Sequence, residues 1–574
     1  MSSCHLLMQT YLGCSGRIRL PVCGVPVDYE CVPFTGRNVP ARNDCYLRQW
    51  LGPSAAVSGG LPQPVPGAYL LLSDALGLPC SEDFVQQVIC AVMGADYGRL
   101  AQIQGELCGC VVTDEKVFIF RSVSSSDEIF YRRSGPLIEW STDPADLVRD
   151  PLTDIDREGI WRSCRGDDVF VYRGLDFVRP GQLVVVDRDS ISTVWYERVT
   201  PLDLPRRTML RDYAEITWDL LLQANRPYAD SGHIGVLLSG GIDSSLVLAA
   251  LVHSGADVTA YHIGTDDPLA DESAYAREVC RHLSVPFVPV TTNLDQDGFS
   301  TECDFPLPYN HVWFYRIASI AERIQRDGVT LLASGQAGDI LFGPDRYGLH
   351  DILVGDVSWR EKWEMTLGLL CYRWELRHII NSIRPSYSPL NDPEVVMLGE
   401  RPVDFLAPIR DIPVTCDPDL GFWPQEHALN LSVWRPKGIY CFSPLGSKDM
   451  RRLAMRMPNA YRSILFQGRM INKPVLRLAG STRLPAATWR YYGNPWVCSP
   501  DETWCINHPD VISGLIGGPD SRLVEMGIVD PTRLAAVLAD PAALRRNAET
   551  LVCSAMTELF LRALEKRAPH LARS

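Results

Sequence analysis

No apolar run in this chain approaches the ~20 residues needed to span a bilayer, so no membrane-crossing helix is expected. The opening stretch Met1–Arg19 lacks a basic start followed by an apolar core, so no export signal is read and a cytoplasmic setting is expected. A basic surface is missing as well: the formal net charge is −14, which argues against a nucleic-acid partner. A local basic cleft for a polyphosphate remains compatible with an acidic whole. The 18 cysteines show no disulfide-framework spacing. Cys4, Cys14, Cys23 and Cys31 are too evenly spread for a zinc site that opens Cys-x2-4-Cys. Cys108 and Cys110 are the closest pair, and the scattered thiols are expected to be reduced and buried. Internal repeats and low-complexity tracts are also absent.

What is present is ordinary globular composition, 46% hydrophobic and 22% charged. A chain of 574 residues exceeds one ordinary core, so two large domains are expected, divided near Pro201–Pro205 as 1–205 and 206–574. The first region reads as β-rich. Gln182–Asp187 follows the turn pair Pro180-Gly181, Tyr69–Leu72 has strand length, and Cys110–Val112 and Val117–Phe120 flank a hairpin turn at Thr113–Lys116. Beyond the divide, helix and strand alternate. Met209–Asn225 reads as a helix, Ile234–Leu238 as a strand, Ser244–His253 as a helix and Val258–Ile263 as a strand. Glu272–Leu283 and Phe314–Gln325 follow as helices, and Thr330–Ala333 as a strand. That rhythm predicts an α/β fold with a doubly wound parallel sheet. Trp359–Ile380 reads as a long helix, Arg384–Trp434 as a proline-rich loop region, and Pro531–Lys566 as a terminal helical hairpin.

One motif carries chemistry. Ser239, Gly240 and Gly241 directly follow a strand, and Asp243, Ser244 and Ser245 open a helix. Glycines let backbone N–H groups approach an anion, and the helix start adds unpaired donors and a positive dipole end. Ser239, Ser244 and Ser245 supply hydroxyls, and Asp243 can hold magnesium. No Gly-Lys-Ser/Thr occurs, so this is not a Walker loop. Glycines placed only for packing are the competing reading.

These residues resemble the pyrophosphate loop of the N-type ATP pyrophosphatases. A second stretch, Leu331–Gly343, is similar to the Ser-Gly-x-x-x-Asp-x-x-Phe-Gly segment of asparagine synthetases. The resemblance implies that Gly335 and Asp339 join the site, and that Asp243 and Asp339 together hold Mg2+ against ATP. Asp271-Glu272 matches an acidic pair of the family, although acids at a helix start are also expected on dipole grounds alone. The N-terminal region resembles the Ntn-type (αββα) glutaminase domain of the same family through Gly105–Phe120, Asp127–Tyr131, Ile138–Thr142 and Val178–Gln182. An active glutaminase of that class has cysteine as its mature first residue, whereas this sequence begins Met1, Ser2, Ser3, Cys4. A degenerate, scaffolding domain is therefore expected.

Without its own ammonia, such an enzyme uses an amine already on its substrate. The resemblance is greatest to lasso peptide macrolactam synthetases. Gln336 stands where the β-lactam branch carries tyrosine, and Leu523–Pro531 resembles a lasso-cyclase tail. The implied reaction is adenylation of an Asp or Glu side chain of a core peptide, then attack by its N-terminal amine. The implied partners are the precursor peptide, a leader peptidase and a leader-recognition protein. A β-lactam-type or other small-substrate amide synthetase, and an inactive peptide-binding scaffold, are the alternatives. The family's lysine after Leu-Pro and Trp-Arg is replaced by Tyr492, so Lys473 or Arg490 is expected to supply the positive charge, unless Lys473 is only a helix-end surface lysine. Glu364 and Glu375 are candidate general bases by analogy with the β-lactam branch.

Overall fold

The computed structural model describes, with short breaks, residues 82–343 and 424–571. The shorter stretches 15–19, 29–30, 69–74, 359–360, 362–363 and 404–407 are also described. Most of the expected helix over 359–380 and of the proline-rich stretch 384–434 lies outside these residues. Among the described residues no helix is long and apolar enough to cross a membrane.

Short apolar runs separated by turns make the first region a pair of antiparallel sheets. Its strands are β1 (Ser15–Arg19), β2 (Tyr29–Glu30), β3 (Tyr69–Asp74), β4 (Cys108–Val112), β5 (Val117–Arg121) and β6 (Phe130–Ser134). They continue with β7 (Leu137–Ser141), β8 (Asp176–Phe177), β9 (Gln182–Val186) and β10 (Ile191–Trp195). One sheet runs β2-β1-β7-β6-β8 and the other β10-β9-β5-β4-β3. The expected hairpin is present, with Val112 opposite Val117 and Cys110 opposite Ile119. Cys108, Cys110 and Ile119 from one sheet pack with Tyr131, Ile138 and Trp140 from the other. The outer face of the second sheet carries Val111, Phe118 and Leu183 against Val88 and Ile89 of the helix Glu82–Met93. On the far side, Phe130 joins Ile160 and Trp161 of the helix Arg157–Cys164. The layers therefore run helix, sheet, sheet, helix. At Gly181, φ is +80° and an added Cβ would meet the Glu197 carbonyl oxygen at 2.2 Å, so only glycine makes the turn into β9.

The second region is a parallel sheet of β11 (His233–Leu237), β12 (Asp257–Thr265), β13 (Phe287–Thr292), β14 (Leu331–Ala333) and β15 (Tyr440–Phe442), in the order β13-β12-β11-β14-β15. The helix Ile242–His253 buries residues all round, from Leu246 to Leu251. It lies under the helices Leu210–Ala229 and Pro474–Gly480, so it is apolar without being amphipathic. A hairpin of β16 (Ser463–Phe466) and β17 (Arg469–Asn472) leads directly into Lys473. The terminal helices are Pro531–Ala539 and Pro541–Leu571.

The expected divide at 205 does not separate the hydrophobic packing. One apolar cluster includes Ile155, Trp161 and Tyr172 together with Phe405, Val552 and Phe560. Charge pairs also cross: buried Arg435 pairs with buried Asp127, and half-buried Lys448 pairs with buried Glu197. Cys108, Cys110, Cys164, Cys280, Cys505 and Cys553 are buried. Burial pushes the Cys164 and Cys280 thiols up to about 12, which leaves them protonated and unreactive.

Candidate active site

The strand order reverses at β11: the chain moves from it to β12 on one side and later returns as β14 on the other. Open α/β sheets bind ligands at the carboxyl ends of strands flanking such a reversal. The loops after β11 and β14 meet there. Ser239 Oγ lies 3.1 Å from Ser244 Oγ, the Ser239 N–H donates to Ser244 Oγ at 3.2 Å, and the Gly241 N–H donates to Ser239 Oγ at 3.2 Å. Gly240 has φ +96°, and a Cβ there would lie 2.9 Å from the Ala276 nitrogen. Gly241 caps the following helix without any side-chain hydrogen bond. The first-turn N–H groups of that 12-residue helix are thus left for an anion. Ser245 is buried, and its Oγ has no hydrogen-bond partner.

The second loop fits against the first through two glycines. A Cβ at Gly335 would stand 2.6 Å from the Ser244 nitrogen, and one at Gly338 would stand 2.5 Å from Asp243 Cγ. Between them Ala337 adopts φ +66°, and Ser443 Oγ donates to the Gln336 carbonyl at 2.6 Å. Asp339 follows in the first turn of Gly338–Phe342, with its side chain 78% exposed.

Lys473 joins the two loops. Its ammonium contacts Asp243 Oδ2 and lies 2.6 Å from Asp339 Oδ1. The residue is 6% exposed, which is not the environment of a helix-end surface lysine. Burial opposes its charge, but Asp243 and Asp339 outweigh that and hold its pKa above the ordinary lysine value. Burial raises the Asp243 carboxyl against the pull of Lys473. Asp243 Oδ1 is buried and has no hydrogen-bond partner. One orphaned carboxylate oxygen and one exposed carboxylate fit a hard divalent cation that keeps waters or phosphate oxygens for the rest of its shell.

Of the sequence-expected site residues, Ser239, Gly240, Gly241, Asp243, Ser244, Ser245, Gly335, Asp339 and Lys473 come together. Arg490 ends the short helix Ala486–Trp489, exposed, with its guanidinium 4.6 Å from the Trp489 ring centre. Cys4, Glu364, Glu375 and Tyr492 lie outside the described residues. Asp271 accepts from the Ser273 N–H and hydroxyl at 3.0 and 2.8 Å, a helix-start role, while burial and Asp271 raise the Glu272 carboxyl. Two residues escaped sequence reasoning. His262 of β12 is buried, and its Nδ1 donates to the Leu238 carbonyl at 2.7 Å, pinning the residue before the loop. Burial lowers its pKa, which keeps it neutral. Arg477 donates to the Asn472 carbonyl at 2.7 Å and to Asn472 Oδ1 at 2.6 Å, bracing the turn that carries Lys473. A histidine inside a strand and an arginine inside a helix carry no periodic signal, so neither stands out without the fold.

Residues 224–375, which include both loops, match the asparagine synthase family model. Over 158 residues the chain is 30% identical to the microcin J25-processing protein McjC of Escherichia coli. That match covers 25% of this chain, and the chain spans about 30% of the length of that relative. Among solved structures, glutamine phosphoribosylpyrophosphate amidotransferase from B. subtilis, complexed with ADP and GMP, aligns over 50% of this chain and 86% of its own at 8% identity and TM-score 0.21. The allosteric regulatory enzyme of purine biosynthesis aligns over 35% of this chain and 50% of its own, at 7% identity and TM-score 0.14. At those scores neither structural likeness carries weight.

Proposed function

We propose that this chain is an ATP-dependent, AMP-forming amide synthetase that closes the macrolactam ring of a lasso peptide. The observation that carries the reading is the convergence of an uncapped helix start, two carboxylates and a buried lysine at the strand reversal. The asparagine synthase match and the likeness to a protein named for processing microcin J25 support it. ATP binds with its β- and γ-phosphates on Ser239, Gly240, Gly241, Ser244 and Ser245. Asp243 and Asp339 hold Mg2+, which supplies charge neutralisation at the phosphates. An Asp or Glu carboxylate of the core peptide attacks the α-phosphorus and displaces pyrophosphate. The peptide's N-terminal amine then attacks the acyl carbon, expels AMP and loses a proton, with Glu375 the candidate acceptor. Lys473, with Arg490 as second candidate, meets the charge that develops on the departing pyrophosphate. Holding a pre-threaded peptide in place supplies much of the rate. The β-rich region acts as a scaffold, in keeping with the ion pairs and shared apolar cluster that tie it to the synthetase part. The precursor peptide, a leader peptidase and a leader-recognition protein are the partners this reading requires.

The test is to incubate the purified protein with ATP, magnesium and a leader-free core peptide from its own gene neighbourhood, and to follow mass. A product lighter by one water, formed with AMP and lost in Asp243→Ala, is expected. Product formation at an unchanged rate in Asp243→Ala sinks the proposal.

A further inference from the structure

Lys473 is held where a surface lysine has no need to be. Its φ is +51°, in the left-handed region that non-glycine residues seldom enter, and Pro474 follows it. The strain is fixed from several sides. The Lys473 N–H donates to the Arg462 carbonyl at 2.9 Å, and the Arg477 N–H donates back to the Lys473 carbonyl at 3.1 Å. The Arg477 guanidinium clamps Asn472 and also reaches the Trp489 carbonyl at 3.2 Å. A non-glycine residue in this conformation costs about 1–3 kcal/mol and persists only where the surrounding structure over-determines it.

What that backbone fixes is an ammonium against Asp243 Oδ2 and 2.6 Å from Asp339 Oδ1. Under the proposed function these are the carboxylates that take the divalent cation, at metal–oxygen distances of about 2.0–2.1 Å for magnesium. An ammonium nitrogen bridging the same two carboxylates fills the space the metal needs. Both cannot be there together. Asp243 also keeps one oxygen, Oδ1, buried and unpartnered while the lysine is in place. A carboxylate pair built solely to bind lysine would leave neither oxygen in that state.

We infer that Lys473 is a built-in stand-in for the divalent cation, closing the metal site until nucleotide arrives and then passing from the carboxylates to the phosphates. The inference rests on the proposed function and deepens it. A metal ion arriving alone must displace an ammonium paired with both carboxylates and brings it no anion in exchange, so its binding is disfavoured. A metal arriving on ATP brings phosphate oxygens that receive the ammonium as it leaves. Metal and nucleotide therefore bind as a unit. Asp339 is the exposed member of the trio, so phosphates arriving from solvent reach the ammonium on its side.

The experiment is a nucleotide-free Mn2+ titration read by the electron-paramagnetic-resonance signal of free Mn2+. It is run on the intact protein, on Lys473→Met and Lys473→Gln, and on Lys473→Met combined with Asp339→Asn, with circular dichroism confirming each fold. Wild-type protein is expected to show no saturable site with Mn2+ alone, and one site when α,β-methylene-ATP is added. Both lysine variants are expected to gain one saturable nucleotide-free site that wild type lacks over the same Mn2+ range. The double variant is expected to lose it. Nucleotide-free Mn2+ binding by wild type as tight as in the lysine variants overturns the inference, and this arm does not depend on any variant folding. Failure of wild type to bind Mn2+ even with the ATP analogue, at any ratio, instead overturns the proposed nucleotide site.

Discussion

Gly338→Ala isolates the contact between the two site loops. The added Cβ would lie 2.5 Å from Asp243 Cγ, 2.8 Å from Oδ1 and 2.9 Å from Oδ2. Carbon atoms settle at about 3.5–4.0 Å, so the carboxylate must retreat by roughly 1 Å. Asp243 cannot retreat freely, because Lys473 holds Oδ2 and Gly335 closes over the Ser244 backbone. The backbone of Gly338 itself is an ordinary helical one, so alanine adds no backbone strain and gains up to about 1 kcal/mol of helix propensity, which offsets part of the about 1–3 kcal/mol that overpacking costs. The prediction is therefore a folded protein with a damaged site: melting temperature modestly lowered by the overpacking, and kcat/KM for ATP lower by about 100-fold, a cost that a 1 Å misplacement can reach. Pyrophosphate release measured beside thermal melting is the assay. Gly514→Ala is the control, since a Cβ there meets nothing within 4 Å, and it should leave activity intact. Activity of Gly338→Ala within about twofold of wild type would refute the placement of Asp243 in the machinery.

Other parts of the molecule give further expectations. Arg435→Met leaves Asp127, fully buried, without its counter-charge; a loss of about 3–5 kcal/mol in chemical denaturation is expected, largely recovered by adding Asp127→Leu. His427 is buried, its Nε2–H donates to the Thr142 carbonyl at 2.8 Å, and burial pushes its pKa down to about 4. The unfolded chain, with histidine near 6.5, thus takes up the proton first, so this site's contribution of up to about 3 kcal/mol is complete above pH 6.5 and is lost as pH falls toward 4. Melting temperature followed from pH 7.5 to 4.5 should drop less steeply in His427→Gln than in wild type.

Several parts of this architecture were legible from spacing alone, and the rest was hidden for identifiable reasons. The alternation from 210 to 333 is visible because each strand is a short apolar run and the helix starts at 242 and 273 are marked by Gly, Ser or acidic residues. Strand β13 is masked by Pro289, which is tolerated because β13 lies at the sheet edge, where a missing N–H leaves no ladder bond unmade. Strand β15 is only three residues long and is defined by its partner β14. The helix expected to stop at Asn225 runs through Pro227 to Ala229, with Tyr228 packed 4.1 Å from the Phe442 ring centre. There tertiary packing overrides a local breaker. At the site, Ser239 to Ser245 could be read because strand, glycines and helix start are contiguous. The reach of Lys473 across to Asp243, 230 residues away, and the close approach of Gly338 are products of folding and leave no trace in local spacing.

The most direct measurement is the identity of the nucleotide product when ATP, magnesium and core peptide are supplied together, read by phosphorus nuclear magnetic resonance. AMP and pyrophosphate in equal amounts, formed only with peptide present, are expected if the serine–glycine loop binds pyrophosphate as the leaving group. ADP and orthophosphate would contradict that, because they would place the cleavage at the γ-phosphorus instead.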